Sequence, residues 1–400
     1  MLASAPAAYV ARRERFRTDD PRVLDPVSRR ARFQWDGDVE ALPYTGEPPL
    51  RRELAKQAGG PFVGHAEKQG LLMAQPFVGA VVARSGSRPV VAAAPLYVTA
   101  VVLPAVAVNA LTLLLAIIAV GAANGTLDIS MNVQGLAVEL SVKRALFSSL
   151  HAAFSFGALA GAGLAAMVAS AGMAPLPHLI GVALVGALVM AGLARSLVAD
   201  EDQADAAAPR FVRPSRALLA LGVVAFCALL AEGAVFDWSG IYLARVVGAS
   251  EGIAPLALAA FSLTMGAGRL LGDGAAARLG GSVTVLIGAL LATAGLTLSL
   301  ALPSVPGAIS GFAIMGMGLS VVFPLTLRAA GGRERSPGPA IAAVSTLGYM
   351  GFLLGPPAIG ILAEATGLRA ALSIVGVACV VAAVLSIGQG RGLRMRSSET

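Results

Sequence analysis

Apolar runs of about twenty residues recur from position 70 almost to the C-terminus, and no other feature restricts the fold so severely. A run of that length, coiled at ~1.5 Å per residue, spans the ~30 Å hydrocarbon core of a bilayer. In lipid every backbone N–H and C=O must be satisfied without water, which leaves helices or closed barrels. The runs are continuous rather than alternating in short segments, so they predict helices. They cover 70–83, 89–108, 110–138, 146–170, 176–198, 217–243, 253–272, 282–302, 306–327, 339–363 and 368–388. The first is the weakest: between Lys68 and Arg84 about 15 residues escape charge, reaching only ~22 Å. The predicted fold class is an all-α, polytopic membrane bundle of about eleven helices.

Charge supports that reading. Charged residues make up 13% of the chain and mean hydropathy is +0.76, whereas soluble domains carry about 25% charge. The net charge of +7 does not imply nucleic acid, because the basic residues fall in alternate gaps between apolar runs. Arg84 and Arg88 share one gap; Lys143 and Arg144, then Arg195 to Arg216, Arg278, Arg328 to Arg335 and the terminal "RGLRMR" occupy others. The intervening "SAGMAPLPH" and "LPSVPG" are nearly uncharged. The bias of positive charge toward the inside places the basic loops and the C-terminus in the cytoplasm, with the chain threaded through a bacterial inner membrane. Cys227 and Cys379 lie within apolar runs and form no CxxC. Neither a metal site nor a cofactor is predicted.

Residues 1–69, dense in charge and proline, read as disordered or aberrant. Residues 70–198 form a first bundle, 199–216 ("ADEDQADAAAPRFVRPSR") a polar linker, 217–390 a second bundle and 391–400 a tail. The two bundles repeat. A constant offset of 194 residues carries Arg84 onto Arg278, Gly157 onto Gly351 and Gly161 onto Gly355. Parallel repeats of this kind build many secondary transporters.

Five segments carry a family resemblance: "GAVVARSGSRPVV", "GAANGTLDISMNVQGLAVE", "SSLHAAFSFGALAG", "LAEGAVFDWSGIYL" and "TMGAGRLLGD". From about Gly70 onward the chain resembles the major facilitator superfamily, in its fucose-permease-like branch. In the first segment Ala83 stands where that family usually has Asp. The family has twelve helices, so the resemblance implies that a first helix is lacking and that the charged segment occupies its place. It also implies alternating access, a small polar solute such as a sugar or polyol, and proton coupling in a monomeric carrier.

Polar side chains at bilayer depth mark the candidate site, since an ionisable group there costs at least ~2.5–3.5 kcal/mol on insertion scales. Asn124, Asp128 and Asn132 stack along one helix face at intervals of four. Either they line a wet passage or they hydrogen-bond between helices as structural glue. His151 and Ser155 share a face of the next run; the histidine is either a relay and solute ligand or a satisfied core residue. Glu232 lies deep in "LAEGAVFDWSGIYL", on one face with Phe236 and Ser239, so Asp128 and Glu232 are the candidate proton-coupling residues. Trp238 and Tyr349 are candidate stacking groups, although a Trp near a helix end is more often an interface anchor. Arg269 and Asp273, at i and i+4, would form a gating charge latch with Arg84 and Arg88, or a static ion pair. Two other functions stand beside solute symport: proton-driven efflux of amphipathic compounds, and a membrane protein that transports nothing. An intramembrane enzyme is disfavoured, as HExxH and Walker phosphate-loop patterns are missing.

Overall fold

The computed structural model describes residues 61–199, 215–250, 252–333 and 337–388. Most of the segment predicted as disordered or aberrant, much of the linker and the C-terminal tail lie outside the described residues. Among those residues the regular structure is helical throughout, and eight helices are long and apolar enough to cross a membrane.

The helices of the first bundle are α1 (Pro61–Ser85), the short α2 (Arg88–Ala92) and α3 (Ala94–Thr99), α4 (Ala110–Val142), α5 (Phe147–Ser170) and α6 (Pro175–Leu193). Those of the second are α7 (Arg216–Tyr242), α8 (Leu256–Leu279), α9 (Gly281–Ala301), α10 (Val305–Leu319), α11 (Val322–Gly331), α12 (Pro337–Thr366), α13 (Leu368–Ala371) and α14 (Ser373–Ile387). The weakest predicted span is a full-length helix. α1 begins at Pro61 and runs through Glu67 and Lys68, crossing the expected boundary at 69/70. Conversely, the span read as 89–108 is broken into α2, α3 and a 3₁₀ stretch, Ala100–Val106. Pro89, Pro95 and Pro104 each lack the N–H that would continue an α-helix. Pro324 likewise separates α10 from α11 within the span read as 306–327.

Local chemistry sets the ends. Asn109 and Thr112 form a reciprocal capping box at the start of α4, with Thr112 N donating to Asn109 Oδ1 at 2.8 Å and Asn109 N to Thr112 Oγ1 at 3.0 Å. Ser215 caps α7 and Ser304 caps α10 through their hydroxyls. The internal repeat is visible in the turns: Gly86 (φ 75°) after α1 and Gly280 (φ 84°) after α8 both take a positive φ, 194 residues apart. At that offset α1 falls on α8, α4 on α10–α11, α5 on α12 and α6 on α13–α14.

Besides lesser contacts of α4 and α5 with α11 and of α4 with α12, the halves meet most extensively through two helix pairs: α1 with α12, and α5 with α8. Both meet at the end of the bundle that carries Arg84, Arg278 and Arg328, called here the basic end. At Gly79 of α1 an added Cβ would lie 2.5 Å from the Ala342 Cβ of α12. The deepest core lies in the second half, around Tyr242, Phe261, Phe312, Met315 and Leu325. Tyr242 Oη donates to the Ser299 carbonyl at 2.8 Å, and Ser299 Oγ to that of Ala308, tying α7, α9 and α10. α9 and α10 cross at reciprocal glycines, where a Cβ on either Gly295 or Gly311 would meet the other's carbonyl oxygen at 2.5 Å. Such small-residue crossings substitute close van der Waals contact for the hydrophobic drive that lipid does not supply. Gly311→Leu is therefore expected to cost about 1–3 kcal/mol through overpacking, read as a lower midpoint for heat unfolding in detergent. Gly181→Ala, where a Cβ meets open space, should change the midpoint little.

Candidate functional site

The stripe on α4 faces the junction of the two halves. Asp128 is 8% exposed and Asn132 3%, while Asn124, one turn toward the opposite end, is half-buried. Asn132 Nδ2 donates to the Asp128 carbonyl at 2.8 Å and to its Oδ1 at 3.2 Å. Gln75 of α1 donates Nε2 to Asp128 Oδ2 at 3.5 Å, and its buried Oε1 has no partner. Tyr349 of α12 stands close enough to act on the same carboxylate. Every one of these donors is neutral.

A second cluster lies across the junction. Arg269 of α8, 6% exposed, places Nη2 3.7 Å from Glu232 Oε2 of α7 and donates Nη1 to Ser155 Oγ of α5. Its Nε is buried without a partner. Ser155 Oγ in turn donates to the His151 carbonyl at 3.2 Å. His151 Nδ1 lies 3.1 Å from the Phe147 carbonyl. A carbonyl can only accept, so Nδ1 carries the proton and Nε2 is left as an acceptor in the neutral ring. Aromatic rings link the two clusters: His151 packs edge-on to Phe323 with centroids 6.3 Å apart, and Phe323 to Tyr349 at 6.1 Å.

Seven of the candidate residues are thus gathered at one place: Asp128, Asn132, His151, Ser155, Glu232, Arg269 and Tyr349. Trp238 is not among them. It packs on α12, where a Cβ at Gly360 would lie 3.3 Å from its Cζ2, about 16 Å along the helix from Tyr349. The latch is also built differently from the expectation. Arg269 turns to Glu232 rather than Asp273. Asp273 crosses to the first half and caps α5, accepting from Ser148 N at 3.0 Å, Ser149 N at 2.7 Å and Ser149 Oγ at 2.6 Å. A carboxylate at a helix N-terminus is doubly favoured, by the bare N–H groups and by the helix dipole. Arg84 and Arg88 lie exposed at the end of α1 and the start of α2.

Sequence reasoning missed several participants. Gln75 sits in the span judged too short. Glu139 of α4, four residues before Lys143, is 3% exposed. It accepts from Leu146 N at 2.9 Å and Phe147 N at 3.0 Å and forms an ion pair with Arg328 of α11. The α5 N-terminus therefore receives two carboxylates, one from each half. Gln134 folds back on Val198, donating to its carbonyl at 3.0 Å and accepting from its N–H at 2.7 Å. The letters of a nucleophile elbow occur in "GASEG" (248–252), but this segment joins two helices, not the strand and helix that motif requires.

Two similar helical bundles packed around shared ionisable groups define a polytopic membrane protein of the carrier type. The comparisons with known proteins make that specific. The chain is 32% identical over 308 residues to an uncharacterized MFS-type transporter of Yersinia pestis, covering 76% of this chain and 80% of the relative. It is 34% identical over 302 residues to the membrane protein MosC of Rhizobium meliloti, covering 74% and 73%. It therefore belongs to the major facilitator superfamily, as its motifs suggested. No family model matches it. Its fold is similar to that of the Escherichia coli fucose:proton symporter FucP, at TM-score 0.70 and 16% identity over 85% of this chain and 92% of that one. The proton:xylose symporter XylE is similar at TM-score 0.66 and 14% identity, covering 82% and 85%.

Asp273→Ala should remove three charge-assisted bonds at the α5 N-terminus and cost about 2–3 kcal/mol, lowering the unfolding midpoint in detergent. Asp273→Asn, which keeps an acceptor, should recover part of the loss.

Proposed function

We propose that this transporter moves a small polar solute of the sugar or polyol class by alternating access, driven by protons, with Asp128 as the residue that takes and releases the proton. The observation that carries this is the difference between the two buried acids. Glu232 has a cation, Arg269, at 3.7 Å. Among the described residues Asp128 is met by neutral groups alone, the donors Gln75 and Asn132 and the nearby Tyr349. Removing a charge without a counter-charge from low-dielectric surroundings is favourable, so Asp128 gains most from protonation. The relatives in structure support the class of cargo, since two of them are named as sugar:proton symporters.

The solute would lie between the clusters. Gln75 Oε1 and Arg269 Nε are buried polar atoms without partners, and a polyhydroxylated molecule supplies both donors and acceptors. Asn124, Ser155 and His151 Nε2 extend the polar lining, and the paired rings of Tyr349 and Phe323 offer the apolar face that a sugar ring stacks on. Tyr349 with Phe323 takes the stacking role first considered for Trp238. In this reading the basic end faces the cytoplasm and the carrier works as a monomer in the bacterial inner membrane.

The test is uptake into proteoliposomes from a panel of hexoses, pentoses, polyols and amphipathic cations, with and without a pH gradient. Asp128→Asn should still exchange solute across the membrane at equal pH but lose at least tenfold of the gradient-driven accumulation. Glu232→Gln should impair both, because it strands Arg269. Gradient-driven uptake that is unchanged in Asp128→Asn defeats the assignment. Transport of the cations alone, against the gradient, would identify the efflux mode instead.

A further inference from the structure

Helix α12 contains two consecutive prolines, Pro356 and Pro357. Pro356 has no N–H, so the carbonyl four residues back, on Phe352, loses its helical partner. A bare carbonyl at bilayer depth must be satisfied by something else. It is satisfied from the other half of the molecule: Lys68 Nζ of α1 lies 3.2 Å from Phe352 O. The same ammonium sits 4.5 Å above the centre of the Phe352 ring, within the range of a cation–π contact. The charges of Asp237 and Glu67 act on it as well.

The level of this contact is fixed by the packing around it. Gly121 of α4 packs on the Glu67 carbonyl and Gly125 on that of Leu71, so α1 and α4 run side by side in the same direction. Gly79 opposes Gly338 and Ala342, so α1 and α12 run in opposite directions and Lys68 comes opposite Phe352. Lys68 is seven residues, about 10 Å, from Gln75, on the side of Asp128 away from the basic end. Phe352 also packs on Phe236 of α7, with centroids 6.2 Å apart, so the strap reaches three helices from both halves.

We infer that Lys68 is a positioning residue that reversibly straps α1 to the proline-broken turn of α12, holding the halves together between the Asp128 cluster and the mouth opposite the basic end. The orphan carbonyl makes the strap reversible. When the halves part, water entering the gap can take over the carbonyl and the ammonium, so neither is stranded. A carbonyl already bonded within its helix would be a weaker acceptor for Lys68, and a permanent apolar contact would not exchange for water. The inference rests on the reading that the halves move relative to each other, but its test needs neither a solute nor a pH gradient.

Spin labels at Met73→Cys and Ile361→Cys, both exposed positions on α1 and α12, report the separation of the two helices in lipid nanodiscs by pulsed electron resonance. Lys68→Met, which keeps the length and drops the charge, should move a substantial share of the distance distribution to longer separations. Lys68→Arg should keep the distribution of the parent. Pro356→Ala restores the N–H and returns the Phe352 carbonyl to its helix, so adding Lys68→Met to it should produce no further shift. Independent, additive shifts from Lys68→Met and Pro356→Ala overturn the inference, as does a Lys68→Met distribution identical to the parent. Should Pro356→Ala fail to fold, Phe352→Leu decides: it keeps the carbonyl and removes the ring, and should shift the distribution far less than Lys68→Met. An equal shift would make the ring, not the carbonyl, the anchor, and the strap as described would be wrong.

Discussion

The Glu232–Arg269 pair, 3.7 Å apart on neighbouring helices of the second half, is the constraint around which the centre is arranged. Two charges removed from water cost several kcal/mol each, and their mutual attraction offsets that only when the remaining donors and acceptors are also engaged. Here the engagement comes from the first half, since Arg269 Nη1 donates to Ser155 Oγ on α5. The guanidinium is thus shared by two bundles that otherwise meet through few polar groups at this depth. With Glu232 committed to Arg269, Asp128 is left among neutral donors. Two chemically similar acids stand in different surroundings, since Arg269 lies beside Glu232 and neutral donors lie beside Asp128.

The helical architecture was legible in the apolar runs, and so was the repeat, because it depends on local chemistry that recurs. Gly86 and Gly280 both take a positive φ after a helix, and both are glycine. The stripe on α4 was legible for the same reason: a spacing of four fixes a face whatever the surroundings. What was not legible is the partner each buried group finds across the junction. Arg269 and Asp273 are one turn apart, the spacing of a helical ion pair. Yet Asp273 gains more from three bare N–H and O–H donors on α5 than from one exposed-type pair, which frees Arg269 for Glu232. No spacing within one helix encodes that choice. α1 was underestimated because Lys68 ended the apolar count, although its ammonium has a carbonyl to bond to within the bundle. The span at 89–108 was overestimated because hydropathy does not register the missing N–H groups of three prolines.

The two junctions between the halves occupy equivalent places in the repeat and are built from different materials. Gly79 of α1 and Asp273 of α8 are 194 residues apart. At Gly79 the helices touch backbone to backbone, against Gly338 and Ala342 of α12. At Asp273 they are joined by a carboxylate inserted over the start of α5, with Glu139 and Arg328 closing the other side of the same helix end. Van der Waals contact between small residues falls away within a fraction of an ångström of separation. Charge-assisted hydrogen bonds at a helix terminus also break on separation, but each group released is polar and is well solvated by water.

That difference bears on how the bundles can part. At the basic end the α5–α8 junction has a built-in wet state, because Asp273, Glu139, Arg328 and the α5 N–H groups can all be hydrated once water reaches them. The α1–α12 junction at Gly79 has none: opening it exposes a strip of backbone and methyl groups. Its wet-compatible element lies further along the same helix pair, where Lys68 meets the carbonyl that Pro356 leaves bare. Polar, exchangeable contacts therefore sit on both sides of the Asp128–Glu232 level, one set on α5–α8 toward the basic end and one on α1–α12 away from it. Contacts of this kind can exchange for water on either side, and a repeat that has diverged at Gly79 and Asp273 supplies them on different helix pairs.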